Sequence, residues 1–127
     1  MMDNTPKIIG TTAQVVVPDV VKTVEYYIDI LGFELVSYFF EEPPVYGIVQ
    51  RNGYQVHFGK SDDGNIHRND TIRKGMPDFI LWVPEIEAFY EEVTGKGAVI
   101  AQEIIPRSYG REFIIEDCDG HLVHICD

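Results

Sequence analysis

The chain has 127 residues, 45% of them hydrophobic, and a formal net charge of −11. That length and composition suit one globular domain with a core and exclude a disordered chain. The charge opposes nucleic-acid and anionic membrane partners, and no apolar run approaches the roughly 20 residues of a membrane span.

Residues 1–7 read as a loose terminus, and Met1-Met2-Asp3-Asn4-Thr5-Pro6 lacks the basic region and apolar core of a signal peptide. Ile8 to Val17 reads as a first strand, with Val15, Val16 and Val17 as its β-branched centre. Pro18 ends it, and Asp19 is placed to cap a helix over residues 20–31. Val21, Val24, Ile28 and Leu31 recur in that stretch at helical spacing. Gly32 stands where a left-handed residue closes a helix. Phe33 to Phe40 reads as a second strand, broken by Glu41-Glu42-Pro43-Pro44, whose prolines cannot donate to a ladder. Val45–Arg51 and Tyr54–Phe58 read as a hairpin about Asn52-Gly53, a dipeptide that tolerates positive φ.

Residues 59–76, rich in Gly, Ser, Asp and Asn, read as a linker long enough to double as a lid or interface loop. The plan then repeats. A strand over Asp78–Val83 leads to a helix from Glu85 to Thr94, striped by Ile86, Phe89, Tyr90 and Val93 and stopped at Gly95-Lys96-Gly97. Strands follow at Val99–Ile104, Arg111–Glu116 and His121–Cys126, with a loop at 106–110 and a turn at 117–120.

The repetition is written in the residues themselves. Asn52-Gly53-Tyr54-Gln55-Val56-His57-Phe58 returns 67 positions later as Asp119-Gly120-His121-Leu122-Val123-His124-Ile125. Val17-Pro18-Asp19-Val20 returns 66 positions later as Val83-Pro84-Glu85-Ile86. The expected fold is α+β: one domain of two βαβββ modules, 8–58 and 77–126, related by a pseudo-two-fold that makes His57 and His124 equivalent.

Strand residues alternate between faces. Ala13, Val15, Val17, Val56, Phe58, Phe79, Leu81, Val83, Val123 and Ile125 give apolar faces suited to helices. The opposite faces mix Thr12, Gln14, Gln55, His57, Asp78 and His124 with Ile80, Trp82 and Leu122. An open sheet face rarely carries such apolar groups, and a sealed core rarely carries two His and an Asp, so a partly wet, concave pocket is expected there. Trp82 reads as a stacking platform or pocket wall. Asp78 reads as a metal ligand, a partner for a cationic group or an acceptor of backbone hydrogen bonds. Tyr38, Phe39 and Phe40 alternate, so one sheet face cannot bury all three, and a dimer partner is expected to cover the outward set. Cys118 and Cys126 show no Cys-x-x-Cys spacing and read as free thiols of a reducing cytoplasm.

Four stretches carry a family resemblance: Val-Pro-Asp-Val at 17–20, Tyr-Tyr-Ile-Asp-Ile-Leu-Gly-Phe at 26–33, Tyr-Gly-Arg-Glu-Phe at 109–113 and Asp-Cys-Asp-Gly at 117–120. Over residues 8–126 the chain resembles the vicinal oxygen chelate superfamily, which includes glyoxalase I, extradiol dioxygenases and bleomycin resistance proteins. The resemblance implies a cup-shaped mixed sheet with helices outside, and a homodimer whose sites are often built from modules of two chains. It places the four ligand positions of metal-dependent members at Thr12, His57, Asp78 and His124. Thr12 is a poor ligand, and the family's glutamate is absent at both 57 and 124.

Two functions follow from the resemblance. One is a small-molecule binding (sequestration) protein of the bleomycin-resistance type, without a cofactor. Its ligand, cationic or aromatic, is expected in the cup or at the dimer interface, against His57, Asp78, Trp82, Tyr109, Arg111, Glu112 and His124. The other is a lyase, isomerase or dioxygenase using a divalent ion such as Fe, Ni or Zn on His57, Asp78 and His124. No residue is assigned a catalytic role, and Arg111 with Glu112 also reads as a structural ion pair or loop anchor.

Overall fold

The structure is a computed structural model describing residues 4–127; residues 1–3 of the expected terminus lie outside the described residues. The elements are β1 (Ala13–Val17), α1 (Val20–Asp29), β2 (Glu34–Phe39), β3 (Tyr46–Arg51), β4 (Tyr54–Lys60), α2 (Asn69–Ile72), β5 (Phe79–Trp82), α3 (Ile86–Gly95), β6 (Val99–Arg107), β7 (Gly110–Glu116) and β8 (Leu122–Cys126). They form two four-stranded sheets, ordered β1-β4-β3-β2 and β5-β8-β7-β6. In each, the first and last strands of a module pair in parallel and the rest antiparallel. The registers repeat as well. His57 lies between Gln14 and Ile48, and His124 between Ile80 and Ile114. The fold is therefore α+β, built from two βαβββ units with the two histidines at equivalent positions.

Local chemistry explains the first module. Asp19 caps α1, its Oδ1 accepting the Lys22 N–H at 3.1 Å. At the other end the Phe33 N–H donates to the Tyr27 carbonyl at 3.0 Å, across Gly32 at φ 74°. The buried stripe of α1 is Val20, Thr23, Val24 and Tyr27, rotated from the one read in the sequence. The rotation has a physical reason: the helix has two neighbours. Its valines press on β3, where a Cβ at Gly47 would meet Val20 Cγ1 at 2.9 Å and Val24 Cγ2 at 3.0 Å. Its hydroxyls reach the second module, Thr23 Oγ1 donating to Asp119 at 2.5 Å and Tyr27 Oη to Asp117 at 2.8 Å.

The return contact is made from the β3–β4 turn. Arg51 donates to both carboxylate oxygens of Glu92 on α3, at 2.6 and 2.9 Å, with its guanidinium 5.2 Å from the Phe89 ring centre. Each module's helix is thus tied to the other module's hairpin turn. One core runs between them, with Val17, Tyr27, Phe58, Phe113, Ile115, Val123 and Ile125 among its fully buried members.

Some boundaries differ from the sequence reading. Residues 8–12 are not strand, because β4 pairs only with Ala13–Val17; Ile8 and Ile9 stand exposed. Strand β6 continues through Pro106, which an edge strand tolerates because its missing N–H faces no partner. The Asn52-Gly53 turn has positive φ at both residues, as expected. Its counterpart does not. At 117–121 the buried Asp117 carboxylate accepts the N–H groups of Asp119 and His121, at 2.9 and 3.0 Å, and shapes a longer connection. The linker is pinned to that connection by His121 Nε2–H to the His67 carbonyl and Arg68 to the Gly120 carbonyl. Among the described residues no helix is long and apolar enough to cross a membrane.

Candidate functional site

Each sheet turns one face to the helices and leaves the other open. On the open face of the first sheet, parity brings Gln14, Tyr46, Gln55 and His57 together. Gln14 Nε2 donates to Tyr46 Oη at 2.7 Å. The Tyr46 hydroxyl then has its proton free for His57 Nδ1, also at 2.7 Å. His57 Nε2–H completes the relay by donating to Gln55 Oε1 at 2.9 Å. This order fixes the neutral Nε2–H tautomer, and burial lowers the His57 pKa below its ordinary value.

The open face of the second sheet is organised by Glu112, which is only 3% exposed. Its carboxylate accepts from Arg107 Nε at 2.5 Å, from Tyr109 Oη at 2.8 Å and from His124 Nε2–H. Burial pushes the carboxyl up, but those three hydrogen bonds prevail and hold it at about 2. Beside this cluster Trp82 and Ile80 project from β5, 66% and 45% exposed.

Of the residues singled out in the sequence, the structure gathers Tyr109, Glu112 and His124 into one cluster, with Trp82 on the same open face. His57 sits at the equivalent place on the other sheet and shares no hydrogen-bond partner with them. Asp78 is an anchor: its two oxygens accept the Asn69 and Leu122 N–H groups at 2.9 and 3.0 Å. Arg111 is on the helix side and does not pair with Glu112: it is bonded to Asp127 at 2.9 Å and Glu87 at 2.5 Å, while Glu112, on the opposite face, pairs with Arg107. Gln14, Tyr46 and Arg107 were not singled out. The alternation had already put Gln14, Gln55 and His57 on one face; Tyr46 and Arg107 needed the strand registers.

The four family ligand positions do not fit a metal ion within this chain. Thr12 lies ahead of β1 and is exposed, Asp78 holds backbone N–H groups, and both His57 nitrogens are engaged. Among the described residues, the ligand atoms within 4.8 Å of one another belong instead to Glu112, His124 and Cys126, and to Asp117, Cys118 and Asp119. At the first set the Arg107 guanidinium opposes a cation; at the second, the acids already serve α1 and the turn. The Cys118 thiol there is pushed up to about 12 by burial and by Asp119 and Asp117.

Residues 8–125 match the family model described as the Glyoxalase/Bleomycin resistance protein/Dioxygenase superfamily. No curated protein matches the chain in sequence. Solved structures share its fold. The bleomycin-binding protein from bleomycin-producing Streptomyces verticillus, complexed with copper(II)-bleomycin, is 21% identical with a TM-score of 0.74, over 96% of this chain and 98% of that one. A glyoxalase-related enzyme from Clostridium phytofermentans is 18% identical with a TM-score of 0.75, over 97% of each chain. TioX from Micromonospora sp. ML1 is 17% identical with a TM-score of 0.71, over 90% and 94%. At these identities the likeness is one of fold.

Proposed function

We propose that this chain, which belongs to the glyoxalase/bleomycin resistance protein/dioxygenase superfamily, binds a small molecule without transforming it. The observation that carries this reading is the engagement of the two equivalent histidines. His57 has both ring nitrogens in a Tyr46–His57–Gln55 relay, and His124 gives Nε2–H to a carboxylate held by Arg107 and Tyr109. His57 has no nitrogen left for a metal, Asp78 and Thr12 add no ligand, and beside His124 the Arg107 guanidinium on Glu112 opposes a cation. Such fixed, polar walls suit recognition: they present hydrogen-bonding groups and aromatic surface in set positions.

The mechanism is sequestration. Trp82 and Tyr109 supply contact for an aromatic ligand, and the net charge of −11 favours a cationic one. Exposed Val16 and Phe39 on one open face and Ile80 and Trp82 on the other support a homodimer. In it the first module of one chain faces the second module of its partner, and a cup closes around His57, Trp82, Tyr109, Glu112 and His124. The free thiols Cys118 and Cys126 support a reducing cytoplasm as its place of work. The bleomycin-binding protein of Streptomyces verticillus, a neighbour in fold, is complexed with copper(II)-bleomycin, which makes that compound a first probe.

The test is elemental analysis of untagged protein, followed by titration with iron(II), nickel(II) and zinc(II). The expected result is no stoichiometric metal. Near-stoichiometric binding abolished by both His57→Ala and His124→Ala would overturn the binding reading in favour of a metal-dependent enzyme. Light scattering of a stable monomer at micromolar concentration would remove the shared cup.

A further inference from the structure

We infer that the free ring nitrogen of His124, Nδ1, is the acceptor that selects the ligand, taking a neutral O–H or N–H carried on an aromatic ring, a role that rests on the binding reading above and refines it. The two equivalent histidines are unequal. Tyr46 and Gln55 occupy both nitrogens of His57. His124 commits only Nε2, as donor to Glu112 Oε2. Tyr109 Oη donates to that same oxygen at 2.8 Å, and Arg107 Nε to the other at 2.5 Å. These three hydrogen bonds keep the buried Glu112 a carboxylate, held at about 2, so it can only accept. The proton of neutral His124 therefore stays on Nε2, and Nδ1 carries a lone pair.

That lone pair is without a partner and open to solvent. No described residue bonds to His124 Nδ1. Among the described residues, the buried side-chain atoms left unpaired are Tyr26 Oη, Ser61 Oγ and His121 Nδ1. His124 Nδ1 is not one of them, and 14% of its side chain is exposed. The protein brings it no strong donor. Across the strands it faces Ile80 and Ile114, with Leu122 two residues before it on the same face. The Cys126 thiol, also on that face, is a weak donor and makes no bond to it. Arg107 and Tyr109, the donors of the cluster, are spent on Glu112. An acceptor among apolar side chains favours a ligand that brings one O–H or N–H and little other polarity. Tyr109 gives such a ligand a ring to lie against. Its hydroxyl is fixed beside the imidazole on the shared Glu112 oxygen, and the residue is 59% exposed. The donor is neutral because Arg107 balances Glu112 and repels an ammonium at this point, so the net charge of −11 favours a cation only elsewhere on the ligand.

The experiment titrates the full chain with 2-naphthol, a neutral hydroxyl donor at neutral pH, and with 2-methoxynaphthalene, the same ring without the donor. Naphthyl emission gives the affinities, and long-range proton–nitrogen NMR follows His124. Wild-type protein is expected to bind 2-naphthol about fivefold more tightly than the ether, the worth of one net hydrogen bond. The His124 Nδ1 resonance is expected to move upfield with 2-naphthol, as a donor engages it, and not with the ether. His124→Phe is expected to bind the two probes equally, and the wild-type resonance keeps the test decisive where that variant is unstable. Glu112→Gln, which can donate as well as accept, is expected to mix the His124 tautomers and shrink the preference. Equal affinities in wild type, an unmoved Nδ1 resonance at saturation, or a preference that survives His124→Phe would overturn the acceptor role and leave sequestration standing. Absence of saturable 2-naphthol binding would also overturn that role. Stoichiometric metal in the titration above would overturn the underlying reading by a separate route.

Discussion

Replacing Glu112 by Gln asks whether the open face of the second sheet is held by charge. The carboxylate is 3% exposed and accepts from Arg107, Tyr109 and His124. Although burial pushes its carboxyl up, those donors hold it at about 2, against an ordinary 4.5. That difference corresponds to roughly 3 kcal/mol favouring the folded, charged form at neutral pH. The Arg107 side chain is 44% exposed, so water screens part of the attraction and about 2 kcal/mol is the sounder figure. The pKa is depressed on folding, so the contribution is complete above the unfolded value of 4.5 and is lost as pH falls through the folded value of about 2. Gln adds a further penalty: its amide NH₂ must face Arg107 on one side or Tyr109 and His124 on the other, donor against donor. Together these predict a loss of about 2–3 kcal/mol at pH 7, or roughly 8–12 °C in Tm for a chain of this size. Urea unfolding of both proteins at pH 7 and pH 3 measures it. Roughly half of the charge-dependent gap should be gone by pH 3. A gap equal at the two pH values, or below about 0.5 kcal/mol at pH 7, would refute the argument.

Three further outcomes are expected. Gly47→Ala should cost about 1–3 kcal/mol by forcing a methyl against Val20 and Val24, read as a lower urea midpoint with unchanged slope; an unchanged midpoint would mean α1 can slide. Long-range proton–nitrogen NMR should find His57 as the Nε2–H tautomer at neutral pH, titrating below the ordinary 6.5, and Tyr46→Phe should mix the tautomers; an Nδ1–H wild type would contradict the relay. Its neutral form belongs to the folded state, so this histidine's contribution to stability is present above 6.5 and lost as pH drops below it. Cys118, pushed up to about 12 by burial and by Asp119 and Asp117, should resist iodoacetamide at pH 8 until the protein unfolds; fast labelling of native protein would show that the turn opens.

The scaffold was legible because its signals are local. Asn52-Gly53 states its turn, Asp19 its cap, and Gly32 its helix stop, and the copy of these signals in the second half reveals the duplication. The open faces were legible by parity alone, which put His57 with Gln14 and Gln55. What resisted was anything set between distant segments. Nothing near Thr23 or Tyr27 announces that their hydroxyls will meet Asp119 and Asp117. Asp78 has the right residue type and parity for the open face, yet two backbone N–H groups claim its carboxylate. Nor did His124 announce that one of its nitrogens would stay free, since a missing partner is visible only once every neighbour is placed.

The bonds from Thr23 to Asp119 and from Tyr27 to Asp117 close loops of 96 and 90 residues, which has a consequence for how the chain is made. Synthesis is vectorial, and at cellular elongation rates the acceptors leave the ribosome on the order of ten seconds after the donors. For that interval α1 carries two hydroxyls on its core-facing side with only water to bond. The first module can begin to collapse, but it cannot dry its own helix until the final turn arrives. A nascent chain stalled before Asp117 would therefore be left with a defect in its earliest helix, far from the break. In their birth order the two copies are unequal: the second completes the first.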